Sequence, residues 1–161
     1  LCSNSHTTTS GASTTSGFDN LVTTALNAVP LATARIAMLN FRGDQADRIQ
    51  IQPDTIVIPP DLYSQAHEVI QSAGVPDDSS NASNVHYEQY KIIEWNYLTD
   101  ANNWWLLDKT QFMDSVVWFE RVPYEFAMVE DFDTFIGKWR LYGRYGHGHN
   151  DWRGILGAQV S

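Results

Sequence analysis

Apolar positions along this chain follow two periods. Thr55-Ile56-Val57-Ile58 is a short β-branched, mostly aliphatic run suited to a buried strand. Pro59-Pro60 cannot donate ladder hydrogen bonds and closes it. Asp61 then supplies the negative side chain favoured at a helix N-terminus. Leu62, Ala66, Val69 and Ile70 recur at helical spacing, which predicts a helix over Asp61–Ser72 with Gly74 as its C′ residue. A second helical pattern runs from Asn27 to Arg42. Asn27 caps it, Pro30 is tolerated in its first turn, and Leu31, Ala34, Met38 and Phe41 form one stripe before Gly43. Ala32, Ala34 and Ala37 leave room for another element to approach closely.

Strand-like runs follow at Tyr87–Leu98, Trp104–Leu107 and Ser115–Val122, the last stopped at Pro123, with a further one over Tyr124–Val129. Thr99–Asn103 and Asp108-Lys109 read as turns. Together these segments predict an antiparallel sheet that the Asp61–Ser72 helix covers, an α+β arrangement. From Thr134 to Val160 the side chains of Phe135, Lys138, Arg140, Tyr142, Arg144, Trp152 and Arg153 are interleaved with glycine. This predicts a long two-stranded ribbon turning near Gly146–Asn150. Leu1–Asn20 is rich in Ser, Thr and Gly, has too little apolar surface to fold alone, and reads as an extended or mobile arm ordered by a neighbouring chain. Gly74–Val85 reads as a polar loop.

Composition narrows the functional classes. At 161 residues the chain fits one domain burying roughly 70% of its unfolded surface. A net charge of -9 argues against a nucleic-acid groove, which needs clustered Lys and Arg. The single cysteine, Cys2, excludes an intrachain disulfide and fits a reducing compartment. No window has the apolar length of a membrane span, and no basic-then-apolar leader opens the sequence. The start at Leu1 rather than Met reads as a fragment or processed product. The six Trp within a 12% aromatic content mark either a ring-filled core or anchors between subunits.

Candidate chemistry is sparse. Ser5 with His6 lacks an acid and a rigid frame. Asp77 and Asp78 read as a solvated loop, and Asn81-Ala82-Ser83 is a formal glycosylation acceptor without a secretory signal. Glu125, Glu130, Asp131 and Asp133, with Trp104, Trp105, Trp118 and Trp152 as sugar platforms, suggest a carbohydrate-active or carbohydrate-binding module. Spacing alone cannot set the carboxylate separation, so the acidic group reads as a charged turn. His147 and His149 with Asp151 share strand parity, but a glycine-rich turn supplies no further evident ligand for a metal. No catalytic, cofactor-binding or metal-ligating residue emerges. Lys138, Arg140, Arg144 and Arg153 instead gather four of the ten basic residues beside Trp and Tyr, the composition of a protein contact.

Several segments, taken in order, resemble the major capsid proteins of tailed phages with the Hong Kong 97-type fold, in particular the Mu-like major head subunits. Leu1-Cys2-Ser3 with His6 is similar to a Leu-Phe-Ser…His segment of that family, and Leu31–Met38 to its Leu…Ala-Arg…Met helix. Pro53–Leu62 is similar to its Pro…Leu-Val-Val-Pro-Pro…Leu signature. Trp104–Leu107 and Arg144…Asp151-Trp152-Arg153 also match. The resemblance spans nearly the whole chain. It departs at Cys2, where the family often has an aromatic, and in lacking the first half of a complete head subunit with its N-terminal arm and most of the extended loop.

The resemblance implies a Hong Kong 97-type α+β fold divided into parts. Residues 1–20 would be a flexible arm or loop and 21–45 the peripheral-domain spine helix. Residues 46–122 would form an axial domain with an antiparallel sheet and flanking helices, and 123–161 would return to the peripheral domain as the long ribbon. It implies a non-enzymatic subunit that assembles in the host cytoplasm into the icosahedral capsid of a virion, enclosing double-stranded DNA without sequence-specific binding. The partners would be copies of itself in hexamers and pentamers, with decoration or portal proteins, and no membrane or cofactor. Trp139, Arg140, Arg144, Trp152 and Arg153 are the expected intersubunit contacts, and an encapsulin-like compartment shell is the related alternative.

Overall fold

The structure is a computed structural model, and it describes residues 1–6, 17–74 and 83–160. Strand β2 is Thr55–Ile58, as the aliphatic run requires. A single turn of tighter helix at Pro60–Leu62 leads into α2, Tyr63–Gln71. Its inward stripe is the expected one, Leu62, Ala66, Val69 and Ile70. Gly74 does not act as C′ residue, because Ser72 already turns the backbone extended (φ -78°, ψ 128°) and Gly74 instead bridges Ser83. Helix α1, Ala28–Leu39, is capped by the Asn27 side chain, which accepts from the Ala28 N–H. It buries Leu31, Ala34 and Met38, and Phe41 follows buried just beyond its end. The helix stops sooner than its stripe because the Asn40 N–H closes onto Ile36 and Ala37 carbonyls, which ends the ladder.

The central sheet is mixed rather than antiparallel. Besides β2 it contains β1 (Leu21–Val22), β3 (Lys91–Glu94), β4 (Trp104–Leu107) and β7 (Ile155–Ala158), in the order β1-β7-β4-β2-β3. The inner strands β7, β4 and β2 are antiparallel, and each edge strand runs parallel to its neighbour. The parallel β2–β3 pair follows from α2, which carries the chain back to the start of the sheet as a parallel crossover must. Of the expected Tyr87–Leu98 strand, only Lys91–Glu94 is paired, since residues 87–90 turn beside α2.

Period-2 alternation sorts the sheet residues. Ile56, Ile58, Trp104, Leu106, Leu156 and Ala158 share one core with both helices. Helices α1 and α2 therefore share one core with the sheet. The buried Trp104 indole N–H donates to the Thr24 carbonyl at 3.1 Å, which satisfies its polar edge.

The segments after Asp108 leave this sheet. Asp108 does not simply turn the chain. It caps a short helix, α3 (Lys109–Ser115), by accepting from the Thr110 and Gln111 N–H groups, and its second oxygen accepts from Gln52 N–H. Strand β5, Val116–Asp131, then pairs, among the described residues, only with β6, Ile136–His149. Pro123 does not stop β5. It lies in an irregular stretch where the register slips between Glu120 and Val122 and again between Val122 and Glu125, the kind of place where a residue lacking N–H is tolerated. The ribbon's turn is the acidic stretch after Asp131, closed by the Phe135 N–H on the Asp131 carbonyl at 2.9 Å, and not Gly146–Asn150. Gly146 and Gly148 lie inside β6, opposite Phe119 and Val117.

Candidate assembly surface

Leu1–His6 and Gly17–Asn20, the described parts of the expected mobile arm, are sewn into the body. Asn20 is fully buried. Its carboxamide oxygen accepts from Ser3 N–H at 2.7 Å and lies 2.8 Å from His6 Nε2. Its NH2 group reaches the carbonyls of Leu1, Trp152 and Ile155 at 3.3, 3.2 and 2.9 Å. With the amide nitrogen committed as donor, the oxygen is the acceptor, so His6 Nε2 carries the proton. Gly17, with φ 81°, lets the backbone turn against Asn40 and Arg42 where a Cβ would collide.

Two of the expected intersubunit residues belong to this same seam. The Trp152 ring stacks on His6 and meets Phe41 edge-on at 5.1 Å. Arg153 finds its carboxylates within the chain, Asp44 at 2.7 Å and Asp151 at 3.0 Å. It also donates to the Arg42 carbonyl and lies over the Trp152 ring. Its side chain is only 14% exposed, so its guanidinium is largely committed inside the molecule.

The other three, Trp139, Arg140 and Arg144, lie on the ribbon, but not on one surface. Register and alternation place Phe126 with Leu141 and Met128 with Trp139 on one face. Ala127 with Arg140, and Val122 with Arg144, fall on the opposite face. Contacts agree with this division. The Trp118 and Tyr145 rings stack on the first face at 4.6 Å, and the Tyr124 ring fills the space where a Cβ of Gly143 would go. On the second face Lys138 reaches diagonally to Asp131 at 2.7 Å, and this ion pair holds the Asp131 carboxyl below its ordinary range.

The first face is thus mainly aromatic and aliphatic, with Glu120 opposite Tyr145 and Glu130 opposite Gly137 as its carboxylates. Phe126 is 69%, Leu141 67%, Trp139 65% and Met128 61% exposed. The second face is mixed, with Glu125, Asp131, Lys138, Arg140 and Arg144 among exposed Phe119, Val129, Ile136 and Tyr142. The β5 half of the first face has its own signal in the sequence, the period of two in Tyr124-Glu125-Phe126-Ala127-Met128.

The remaining candidates do not assemble into chemistry. Glu125, Glu130, Asp131 and Asp133 are spread along the ribbon and its tip. The four tryptophans form no common platform: Trp104 is in the core, Trp105 on the opposite sheet face, Trp118 on the ribbon and Trp152 at the seam. His147 and His149 stand opposite Trp118 and Val116, and among the described residues no group of three or more His, Cys, Asp or Glu is placed to hold a metal ion. Cys2 is half-buried with its thiol pushed up by that burial, near Gly157 and Trp105. Asp77, Asp78, Asn81 and Ala82 lie outside the described residues. No helix among the described residues is long and apolar enough to cross a membrane.

The sheet face opposite α1 and α2 carries an apolar groove of about 210 Å³ between Val57, Trp95, Leu98, Trp105 and Phe112. The mixed α+β body thus carries a long ribbon with a largely hydrophobic face exposed. The family model described as "Phage capsid protein" matches residues 3–158. The chain belongs to that family and has the general role of a viral structural protein. A search of curated proteins gives no match.

Proposed function

We propose that this protein is a subunit of an icosahedral phage shell of Hong Kong 97 type, which self-assembles around double-stranded DNA. The observation that carries this reading is the ribbon. Among the described residues its strands of 16 and 14 residues pair only with each other, and they expose large apolar side chains along their length. An isolated two-stranded sheet is marginal in water, and an apolar face of this size marks a protein contact. Repeated heterologous contact, closed by symmetry, turns such a surface into a shell.

In this reading residues 46–115 and the C-terminal strand, with α1 packed on them, surround the capsomer axis in hexamers and pentamers. The ribbon extends toward neighbours, and Trp139, Arg140 and Arg144 contact them. Trp152 and Arg153 act indirectly, by holding the seam from which the body is built. The acidic chain encloses DNA without gripping it. The subunit is a virion component assembled in the host cytoplasm, with decoration and portal proteins as further partners.

Electron microscopy of the native particle tests this. Closed icosahedral shells containing DNA are expected. Shells filled with cargo protein would instead indicate a compartment shell, and a complete protein that stays a monodisperse monomer would overturn the assembly reading.

A further inference from the structure

The two strands of the ribbon are unequal in length, and the surplus is concentrated in one place. Five consecutive pairs, from Val116 with His149 to Glu120 with Tyr145, form a root. The root is anchored on the body by α3 and by the Asn150 N–H on the Ser115 carbonyl. Seven further pairs, from Glu125 with Tyr142 to Asp131 with Ile136, form a distal arm. In the gap between root and arm, the six residues Glu120 to Glu125 of β5 face the four residues Tyr142 to Tyr145 of β6, with Val122 paired to Arg144. Each surplus residue makes a bulge, which interrupts the ladder and bends the strand that carries it. Pro123 lies in the same stretch and has no N–H to give.

Two bulges so close together leave the arm joined to its root through little ladder. A two-stranded sheet is marginal even when its ladder is whole, so side chains must fix the angle between the halves. The Trp118–Tyr145 stack lies within the root, and the Lys138–Asp131 ion pair lies within the arm. Tyr124 is placed differently, since it lies in the gap and its ring rests on Gly143 of the facing strand. A Cβ on Gly143 would fall 2.7 and 2.8 Å from Cδ1 and Cε1 of that ring. The ring is 70% exposed, so it fills no core; what it covers is the β6 backbone at the gap. An aromatic side chain laid over a cross-strand glycine pins the strands it joins.

We propose that Tyr124 is a positioning residue: by seating its ring on Gly143 it fixes the angle at which the distal arm leaves the root. Glycine stands at 143 because a side chain there would unseat the ring. The joint is a property of the single chain. Its consequence for assembly rests on the shell reading, since Trp139 and Arg140 lie beyond the joint and its angle decides where they reach a neighbour.

Pulsed electron-spin distance measurements test this on the complete protein before assembly, with labelled chains diluted in unlabelled ones and Cys2→Ser as background. Labels at Met113→Cys on α3 and Phe132→Cys past the end of β5 read across the joint, whereas Met113→Cys with Phe119→Cys reads the root alone; all three positions are exposed. Adding Tyr124→Ala or Gly143→Ala is expected to broaden the distance distribution between positions 113 and 132 at least about twofold and to leave that between 113 and 119 unchanged. Tyr124→Phe keeps the ring and should keep the parent distribution. The double variant should be no broader than either single one, because both remove the same contact. An unchanged 113-to-132 distribution in Tyr124→Ala would overturn the assignment. Equal broadening between 113 and 119 would overturn it too, because the ribbon would then fray as a whole. Neither result touches the shell reading, which the particle images decide.

Discussion

The imidazole of His6 lies flat on the indole of Trp152, with ring centroids 4.1 Å apart and planes parallel. One ring belongs to the first residues of the chain and the other to the approach to β7, so the stack closes the body across almost its whole sequence. The same indole meets Phe41 and carries the guanidinium of Arg153 on its ring. Trp152→Ala is expected to lower stability by about 2–3 kcal/mol, below the full cost of a core Trp because the ring is partly exposed. Urea unfolding measures the loss. Limited proteolysis should cut the first six residues faster in the variant, and an unchanged cleavage rate would mean that the stack does not hold them.

Asn20 holds the same seam by hydrogen bonds. Removing its carboxamide leaves the Ser3 N–H and the Leu1, Trp152 and Ile155 carbonyls without that partner in a buried place. Asn20→Ala is expected to cost about 2–4 kcal/mol, from the desolvation penalty of two or more unmet groups. Asn20→Asp keeps the shape and loses the three donor bonds, so it should be no better tolerated. A thermal midpoint for Asn20→Ala within a degree or two of the parent would refute the assignment.

Gly154 and Gly146 give a controlled pair. A Cβ on Gly154 would sit 2.6 Å from the Phe112 backbone nitrogen and 2.7 Å from its Cα, where α3 crosses the chain entering β7. Backbone cannot swing aside as a side chain can, so Gly154→Ala should cost at least about 2 kcal/mol and displace α3. A Cβ on Gly146 meets nothing within 4 Å, and Gly146→Ala should lie within about 0.5 kcal/mol of the parent. Differential scanning calorimetry of the two variants checks the contrast.

His86 makes the fold acid-sensitive. Its ring is buried beside α1, with Nε2 3.1 Å from the Ala28 carbonyl and Nδ1 unpartnered. Burial pushes its pKa below the ordinary value; the Arg35 charge adds to this, and the bond to Ala28 opposes it. The unfolded chain thus binds the proton more tightly than the folded one. The contribution of neutral His86 is fully present above the unfolded pKa, about 6.5, and is lost as pH falls from there toward the depressed folded value. His86→Gln keeps a donor for Ala28 and cannot titrate. Urea midpoints measured between about pH 7.5 and 5 should fall less steeply in the variant than in the parent, and identical slopes would remove His86 from the account.

Much of the local structure was legible in the chain itself. Thr55–Ile58 and Trp104–Leu107 are strands to the residue, and the inward stripes of α1 and α2 are those their spacing predicts. Asn27 caps as its type suggests. What escaped the sequence depended on partners far away. Leu21–Val22 and Ile155–Ala158 are too short to announce themselves, and they are strands because they pair with each other and, for the latter, with β4. Asn20 is an ordinary Asn in a Ser/Thr-rich stretch, and only the arrival of Trp152 and Ile155 makes it a central buried group.

The candidate surface shows the same division. Alternation in residues 137–145 marks a strand with Trp139 and Leu141 on one face and Arg140 and Arg144 on the other, and that parity is a property of the sequence alone. Which strand it pairs with is not. Pairing with Val116–Asp131 puts the turn in the acidic stretch, moves the glycines into β6 opposite bulky residues, and brings Phe126 and Met128 beside Leu141 and Trp139. Likewise Trp152 and Arg153 carry the composition of a contact, and the tertiary structure engages them within the molecule with His6, Asp44 and Asp151. Composition and period set each segment's form and the chemistry it presents, because both act over a few residues. Whether a ring or a charge faces inward or is left for a partner is decided only when the chain closes, since that depends on which distant groups satisfy it first.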